Sequence, residues 1–171
     1  MKIVFTGPES TGKTTLSSWL SNEAGIPLVS EMARIYLQPI GLDYTAHHVR
    51  EIGLLQHFEE NQYKKQHKQI ICDTDLLTIL IWLEVKFNIA DDHLLDLWLS
   101  SPVDLYFLCM PDIPWVDDPL RESPLDRDQL SGLYKKYLIK YQKTYAEVSG
   151  PIIQRQEIIK SQMFEVCGIR F

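Results

Sequence analysis

An apolar pentapeptide, Lys2-Ile3-Val4-Phe5-Thr6, runs directly into Gly7-Pro8-Glu9-Ser10-Thr11-Gly12-Lys13-Thr14, and a segment of helical period starts at Lys13. The loop has the spacing G-x-x-x-x-G-K-T, and a strand before it with a helix after it is the context that separates a phosphate-binding loop from a chance glycine-bounded turn. Gly7 and Gly12 allow the backbone to turn tightly and to offer its N–H groups to phosphate oxygens, at the positive end of the helix dipole. Lys13 then supplies a charge between the β- and γ-phosphates, and the Thr14 hydroxyl a ligand for Mg²⁺. Thr15 supports the α-phosphate side, and Pro8, Glu9, Ser10 and Thr11 complete the loop, with Glu9 expected to turn away from the phosphates. The expected cofactors are ATP and Mg²⁺.

A loop of this kind demands a sheet around it, and the rest of the chain provides one. Apolar runs read as buried strands at Lys2 to Thr6, Leu28 to Ser30, Gln69 to Asp73 and Val103 to Met110, with a weaker fifth at Pro151 to Gln154. Between them, helical spacing covers Lys13 to Glu23, Thr45 to Gln66 (through Val49, Ile52, Leu55 or Gln56, and Phe58), Leu76 to Phe87, Asp92 to Leu99 and Gln129 to Val148. Alternation of this sort belongs to an α/β domain with a parallel sheet. The fold class expected is α/β, a three-layer P-loop NTPase fold with a mostly five-stranded parallel sheet, of the nucleoside and nucleotide kinase kind. With 171 residues, 45% of them hydrophobic, one domain over 1–171 is expected. The stripe Tyr134, Tyr137, Tyr141 and Tyr145 reads as the core-facing side of the last helix.

The net charge of −6 argues against a basic surface that tracks a nucleic-acid backbone. Gly7 and Pro8 stop the first apolar run well short of a signal-peptide core or a membrane span, so a cytoplasmic protein with a small-molecule substrate is expected. Cys72, Cys109 and Cys167 lack metal-type spacing and read as packed free thiols. The histidines at 47, 48, 57, 67 and 93 close no metal site.

Open α/β sheets bind their ligands beyond the carboxyl ends of the strands, so acidic residues there are the candidates for chemistry. Asp73 ends an apolar strand as a Mg²⁺-holding carboxylate does. Asp75 is either an acceptor contact or the cap of the Leu76 helix. Glu31 follows the second strand, either as the group that orients or deprotonates the acceptor hydroxyl or as a first-turn acid of a helix capped by Ser30. Residues 111–127 form a candidate lid after the fourth strand. Its Arg121 and Arg127 are placed to neutralise a transferred phosphoryl group, a role worth roughly 10³-fold or more where such an arginine is removed, or else to pair with Asp117, Glu122 or Asp126. Trp115, in a loop among prolines and acids, is a stacking surface for a flat ligand, and Asp117 and Asp118 beside it favour a neutral or cationic acceptor.

No N-K-x-D element and no Asp-x-x-Gly switch is present, because Asp73-Thr74-Asp75-Leu76 lacks the glycine, which disfavours a GTPase. The chain resembles the nicotinamide riboside kinase domain of NadR-type proteins. The resemblance rests on Gly7 to Leu16, on Glu31-Met32-Ala33-Arg34, on Asp73-Thr74-Asp75, and above all on Pro111-Asp112-Ile113-Pro114-Trp115-Val116-Asp117-Asp118-Pro119-Leu120-Arg121. It implies transfer of the ATP γ-phosphate to the 5′-hydroxyl of nicotinamide riboside, giving nicotinamide mononucleotide in NAD salvage. It further implies Lys13 and Thr14 for Mg-ATP, Glu31 or Asp73 for the 5′-hydroxyl, and Arg34, Trp115, Asp117 and Asp118 for the riboside. A kinase of another nucleoside, or a regulatory ATP-binding module, are the alternatives.

Overall fold

The computed structural model describes residues 1–121 and 126–170. Strand β1 (Lys2–Thr6) is buried at every position, as a central strand of a parallel sheet must be when helices cover both faces. It is followed by α1 (Lys13–Ala24), β2 (Leu28–Val29), α2 (Met32–Leu37), α3 (Ala46–Gln66), β3 (Ile70–Asp73), α4 (Leu76–Phe87), α5 (Asp92–Leu99), β4 (Leu105–Cys109), α6 (Arg127–Lys140), β5 (Tyr145–Val148) and α7 (Ile152–Cys167). The strands form one sheet in the order β2-β3-β1-β4-β5, every neighbouring pair parallel. The chain reverses its direction of travel across the sheet at β1, which opens a crevice at the carboxyl ends of β1, β3 and β4.

Alternation along β1 divides the core. Ile3 and Phe5 point to the face where Leu16 and Leu20 of α1 pack with Ile159 and Met163 of α7, while Val4 points to the face covered by α2 to α6. The result is the three-layer arrangement of nucleoside and nucleotide kinase P-loop folds. Among the described residues no helix is long and apolar enough to cross a membrane.

The C-terminal third departs from the expectation. Helix α6 stops at Lys140, because Tyr141 leaves helical geometry and Gln142 takes a φ of 51°, and the fifth strand is Tyr145–Val148 rather than Pro151 to Gln154. Its pairing of Tyr106 with Tyr145 places the last tyrosine of the stripe in the sheet. Pro151 is the N-cap of α7, a helix absent from the sequence reading although Arg155, Ile159 and Met163 bury at four-residue intervals. Helix α2 begins after Glu31, not after Ser30, so Glu31 is itself at the N-cap position. On α3 it is Gln56, not Leu55, that faces inward, and Phe58 is exposed.

Two polar ties lie inside this frame. Lys2 Nζ meets Glu60 of α3 at 2.5 Å with both side chains almost fully buried, which locks β1 to α3. Asp75 accepts from Leu77 N–H at 3.1 Å as the cap of α4, and its other oxygen accepts from Tyr106 O–H at 2.6 Å and Trp98 Nε1–H at 3.2 Å. Asp75 is thus committed to the core, and the acceptor contact that the sequence also allowed for it is replaced by the cap.

Candidate active site

The loop between β1 and α1 has the geometry its glycines imply. Gly7 has a φ of 127°, and a Cβ there would stand 2.6 Å from the Cys109 carbonyl oxygen, so β4 approaches the loop too closely for any side chain. The Thr11 hydroxyl donates to Pro8 O at 2.8 Å. Lys13 Nζ reaches back over the loop to Gly7 O and Pro8 O at 2.9 and 2.6 Å, holding its charge above the concave side.

A cavity of about 400 Å³ opens from this loop. Its lining includes Gly7 to Thr15, Glu9 among them rather than turned away, and Glu31, Arg34 and Arg121. The rest of its lining is largely apolar and aromatic, with Leu37, Tyr44, Ile81, Trp82, Val85, Leu130 and Tyr134 together with Lys86. Trp82 Nε1–H donates to the Tyr44 hydroxyl at 3.0 Å, the two rings meet edge to face at 5.0 Å, and Lys86 Nζ lies 3.9 Å from the Tyr44 ring centre. A smaller, mostly apolar crevice of about 120 Å³ lies on the other side of the loop, between Gly12, Thr15, Leu16, Ile113, Ile152 and Arg155.

Glu31 is available to the cavity because it does not cap its own helix: Gln56 Oε1 accepts the Met32 N–H at 2.9 Å instead. Desolvation pushes the Glu31 carboxyl above its ordinary range, opposed by Lys13 and Arg34 and reinforced by Asp73 and Glu9. Asp73, at the end of β3, is also pushed up by burial, against the pull of the Thr14 hydroxyl, Lys13 and Arg34. Its Oδ1 is buried with no hydrogen-bond partner among the described residues. Between Asp73 and Asp75, Thr74 adopts a φ of 70°, an unfavourable conformation for a β-branched residue. That kink sends the two carboxylates to different places, one behind Thr14 and one into the core.

An oxygen pair of this kind fits Mg²⁺, which takes few protein ligands, commonly one or two carboxylates, and shares the rest of its shell with phosphates and water. Thr14 Oγ1 and the orphaned Asp73 Oδ1 are the atoms that would hold it, and a divalent charge there would oppose the upward push of burial on Asp73.

The segment after β4 lies against the phosphate loop. Val116 N–H donates to Ser10 Oγ at 2.9 Å, and Arg127 donates to Ser10 O at 3.1 Å and Ile113 O at 3.0 Å. Arg127 also stands 5.8 Å from the Trp115 ring, whose Nε1–H donates to Asp117 at 2.8 Å. Trp115, Asp117 and Asp118 stay off the cavity wall. The flat surface expected of Trp115 is turned to Arg127, and the aromatic wall is Tyr44 and Trp82, which sequence spacing concealed inside an ordinary loop and an apolar helix. Asp118 pairs with Arg34 at 2.9 Å and approaches Arg121 at 4.0 Å, so its negative charge is taken up by two arginines before any acceptor meets it. Arg121 also donates to Val116 O at 2.5 Å. Glu122, one expected ion-pair partner, lies outside the described residues.

With this geometry in hand, a family model described as an AAA domain matches residues 2–155. The chain belongs to that family. No curated protein matches the sequence. Among solved structures, NadR protein in complex with NR superposes on this AAA-domain chain with a TM-score of 0.84 at 17% identity, covering 99% of this chain and 50% of that one. NadR with NAD and AMP-PNP gives 0.80, also at 17% identity, with 99% and 50% coverage. Deoxyadenosine kinase from M. mycoides gives 0.68 at 16% identity, covering 97% of this chain and all of that one. This AAA-domain chain therefore shares the fold of about half of the NadR chain and spans about half the length of the NadR chains it resembles.

Proposed function

We propose that the protein is an ATP-dependent kinase of a nucleoside with a flat base, with nicotinamide riboside the first acceptor to test. The observation that carries this reading is one cavity lined by a phosphate loop, a carboxylate–arginine pair (Glu31 and Arg34) and aromatic side chains (Tyr44 and Trp82). A nucleoside set in it offers its 5′-hydroxyl to Glu31 and its base to the aromatic side chains, with the γ-phosphate at Lys13 beyond the hydroxyl. The fold likeness to NadR in complex with NR supports the acceptor, and the crevice beside Gly12, Ile113 and Ile152 is the apolar slot for the donor's base.

In the reaction the O5′–P bond forms as the bond from the γ-phosphorus to the β,γ-bridging oxygen breaks, and Glu31 takes the hydroxyl proton. ADP departs with the bridging oxygen. Lys13 and Arg121 neutralise charge on the equatorial oxygens, and positioning accounts for most of the catalysis. Thr14 and Asp73 would hold Mg²⁺, which would supply further neutralisation of phosphate charge.

A second reading, a kinase of a deoxynucleoside, is favoured by the fold likeness to deoxyadenosine kinase over almost the whole of both chains. Incubating the protein with Mg-ATP and a nucleoside panel, with product masses read by mass spectrometry, separates the two. Nicotinamide mononucleotide as the main product supports the first, a deoxynucleoside monophosphate the second, and ATP bound without product from any acceptor overturns both in favour of a regulatory module.

A further inference from the structure

Arg155, on the first turn of α7, is 2% exposed, and its guanidinium joins four segments. Nε–H donates to Gly150 O at 2.7 Å in the turn before α7, one terminal nitrogen to Thr11 O at 2.9 Å in the phosphate loop, and the other to Met110 O at 3.0 Å after β4. That second nitrogen also pairs with Asp112, whose remaining oxygen accepts the Gly150 N–H at 2.5 Å. A planar fork of donors can serve three carbonyls and a carboxylate at once, and a lysine cannot.

The Thr11 contact has a directional consequence. No peptide bond described is cis, so the Thr11 carbonyl and the Gly12 N–H of the same peptide plane point in opposite directions. Drawing the carbonyl towards Arg155 points the Gly12 N–H from the opposite edge of that plane, away from Arg155, as the loop requires if the amide is to meet a phosphate oxygen. The Asp112 contact ties the same guanidinium to the root of the lid segment, which carries Arg121 and touches Ser10 through Val116.

We infer that Arg155 is a positioning residue for nucleotide binding: it aims the Gly12 amide into the phosphate loop and fixes the lid root to that loop through Asp112. Purely structural stabilisation would not need a charge here, since buried ion pairs are often replaceable by apolar groups without loss. What the charge adds is control over one peptide plane and over the lid root.

The test uses Arg155→Lys and Asp112→Asn, with calorimetric titration of Mg-AMP-PNP and, separately, of nicotinamide riboside, alongside the thermal midpoint. The expected result for Arg155→Lys is an AMP-PNP Kd weakened about tenfold, with the riboside Kd within about twofold of wild type. Asp112→Asn, at a half-exposed side chain, is expected to weaken AMP-PNP about threefold with the midpoint nearly unchanged. A folded Arg155→Lys protein with unaltered AMP-PNP affinity overturns the inference, as does an equal loss for both ligands, which marks general loosening. If Arg155→Lys does not fold, Asp112→Asn decides alone, and unchanged nucleotide affinity there overturns it too. The inference rests on the kinase reading only for the nucleotide. Should wild-type protein bind AMP-PNP but not the riboside, the proposed acceptor fails while the nucleotide affinities still decide the role of Arg155.

Discussion

Glu31 and Asp73 are carboxylates held where their charge is disfavoured, a state that serves chemistry and costs stability. Their ordinary values are 4.5 and 3.8, and both are higher in the folded chain. Their protonated forms are therefore favoured by folding: the stability they contribute is complete below those ordinary values and is lost as pH rises through the folded ones. Glu31→Gln removes the penalty, so its thermal midpoint should exceed that of the wild type by a few degrees at pH 7 to 8 and match it near pH 4. The same variant should lose about 100-fold or more in kcat. A lower midpoint at pH 8 contradicts the account of Glu31. The acid limb of the wild-type activity profile should correspondingly fall at a pH above the usual carboxylate range. Elsewhere on the cavity wall, Trp82→Ala should raise the acceptor KM at least about fivefold and leave the ATP KM nearly unchanged, while Trp115→Ala should spare the acceptor KM. Steady-state kinetics in both substrates reads this directly, and the opposite pattern would return the base-binding surface to the lid.

At the scale of elements, the stretches that were legible in the sequence are those where local pattern and tertiary burial agree. Strand β1, the turn at Gly7 to Gly12 and the start of α1 are written in adjacent residues, and β3 and β4 are continuous apolar runs because helices cover both their faces. Strand β5 was not legible: Tyr145-Ala146-Glu147-Val148 continues the three-to-four spacing of the tyrosines, and the break at Gln142 carries neither glycine nor proline. Pro151 opens a short apolar run that reads as a strand, although its fixed φ suits a helix start. The site was legible wherever a residue sits beside a strand end, as Glu31 and Asp73 do. Tyr44, Trp82 and Arg155 were not, because each acts through a contact made more than thirty residues away. The ties between elements have measurable consequences. Lys2→Met strands the Glu60 carboxylate in the core and should cost about 3 kcal/mol in urea unfolding. Asp75→Ala removes the cap of α4 and the partner of Tyr106 and Trp98, and should cost about 2 to 4 kcal/mol. Its KM values should stay at wild type, because the carboxylate faces the core; a raised acceptor KM in folded Asp75→Ala would restore Asp75 to the site.

Across the whole molecule, the two faces of the sheet divide the labour. The side covered by α1 and α7 stabilises the phosphate loop from behind, through Leu16, Leu20, Ile159 and Met163. The side covered by α2 to α6 supplies much of the cavity wall, from Arg34 on α2 to Tyr134 on α6. Charge follows the same division. A chain with a net charge of −6 gathers Lys13, Arg34, Lys86 and Arg121 around one cavity, the local reversal expected where a triphosphate must enter. Asp118 pairs with Arg34 of this cluster. The most direct measurement is product analysis after incubation of wild-type and Lys13→Ala protein with Mg-ATP and nicotinamide riboside. The account predicts nicotinamide mononucleotide and ADP in equal amounts from the wild type and at least about 100-fold less from the variant. ADP formation without nicotinamide mononucleotide, or equal product from both proteins, would contradict it.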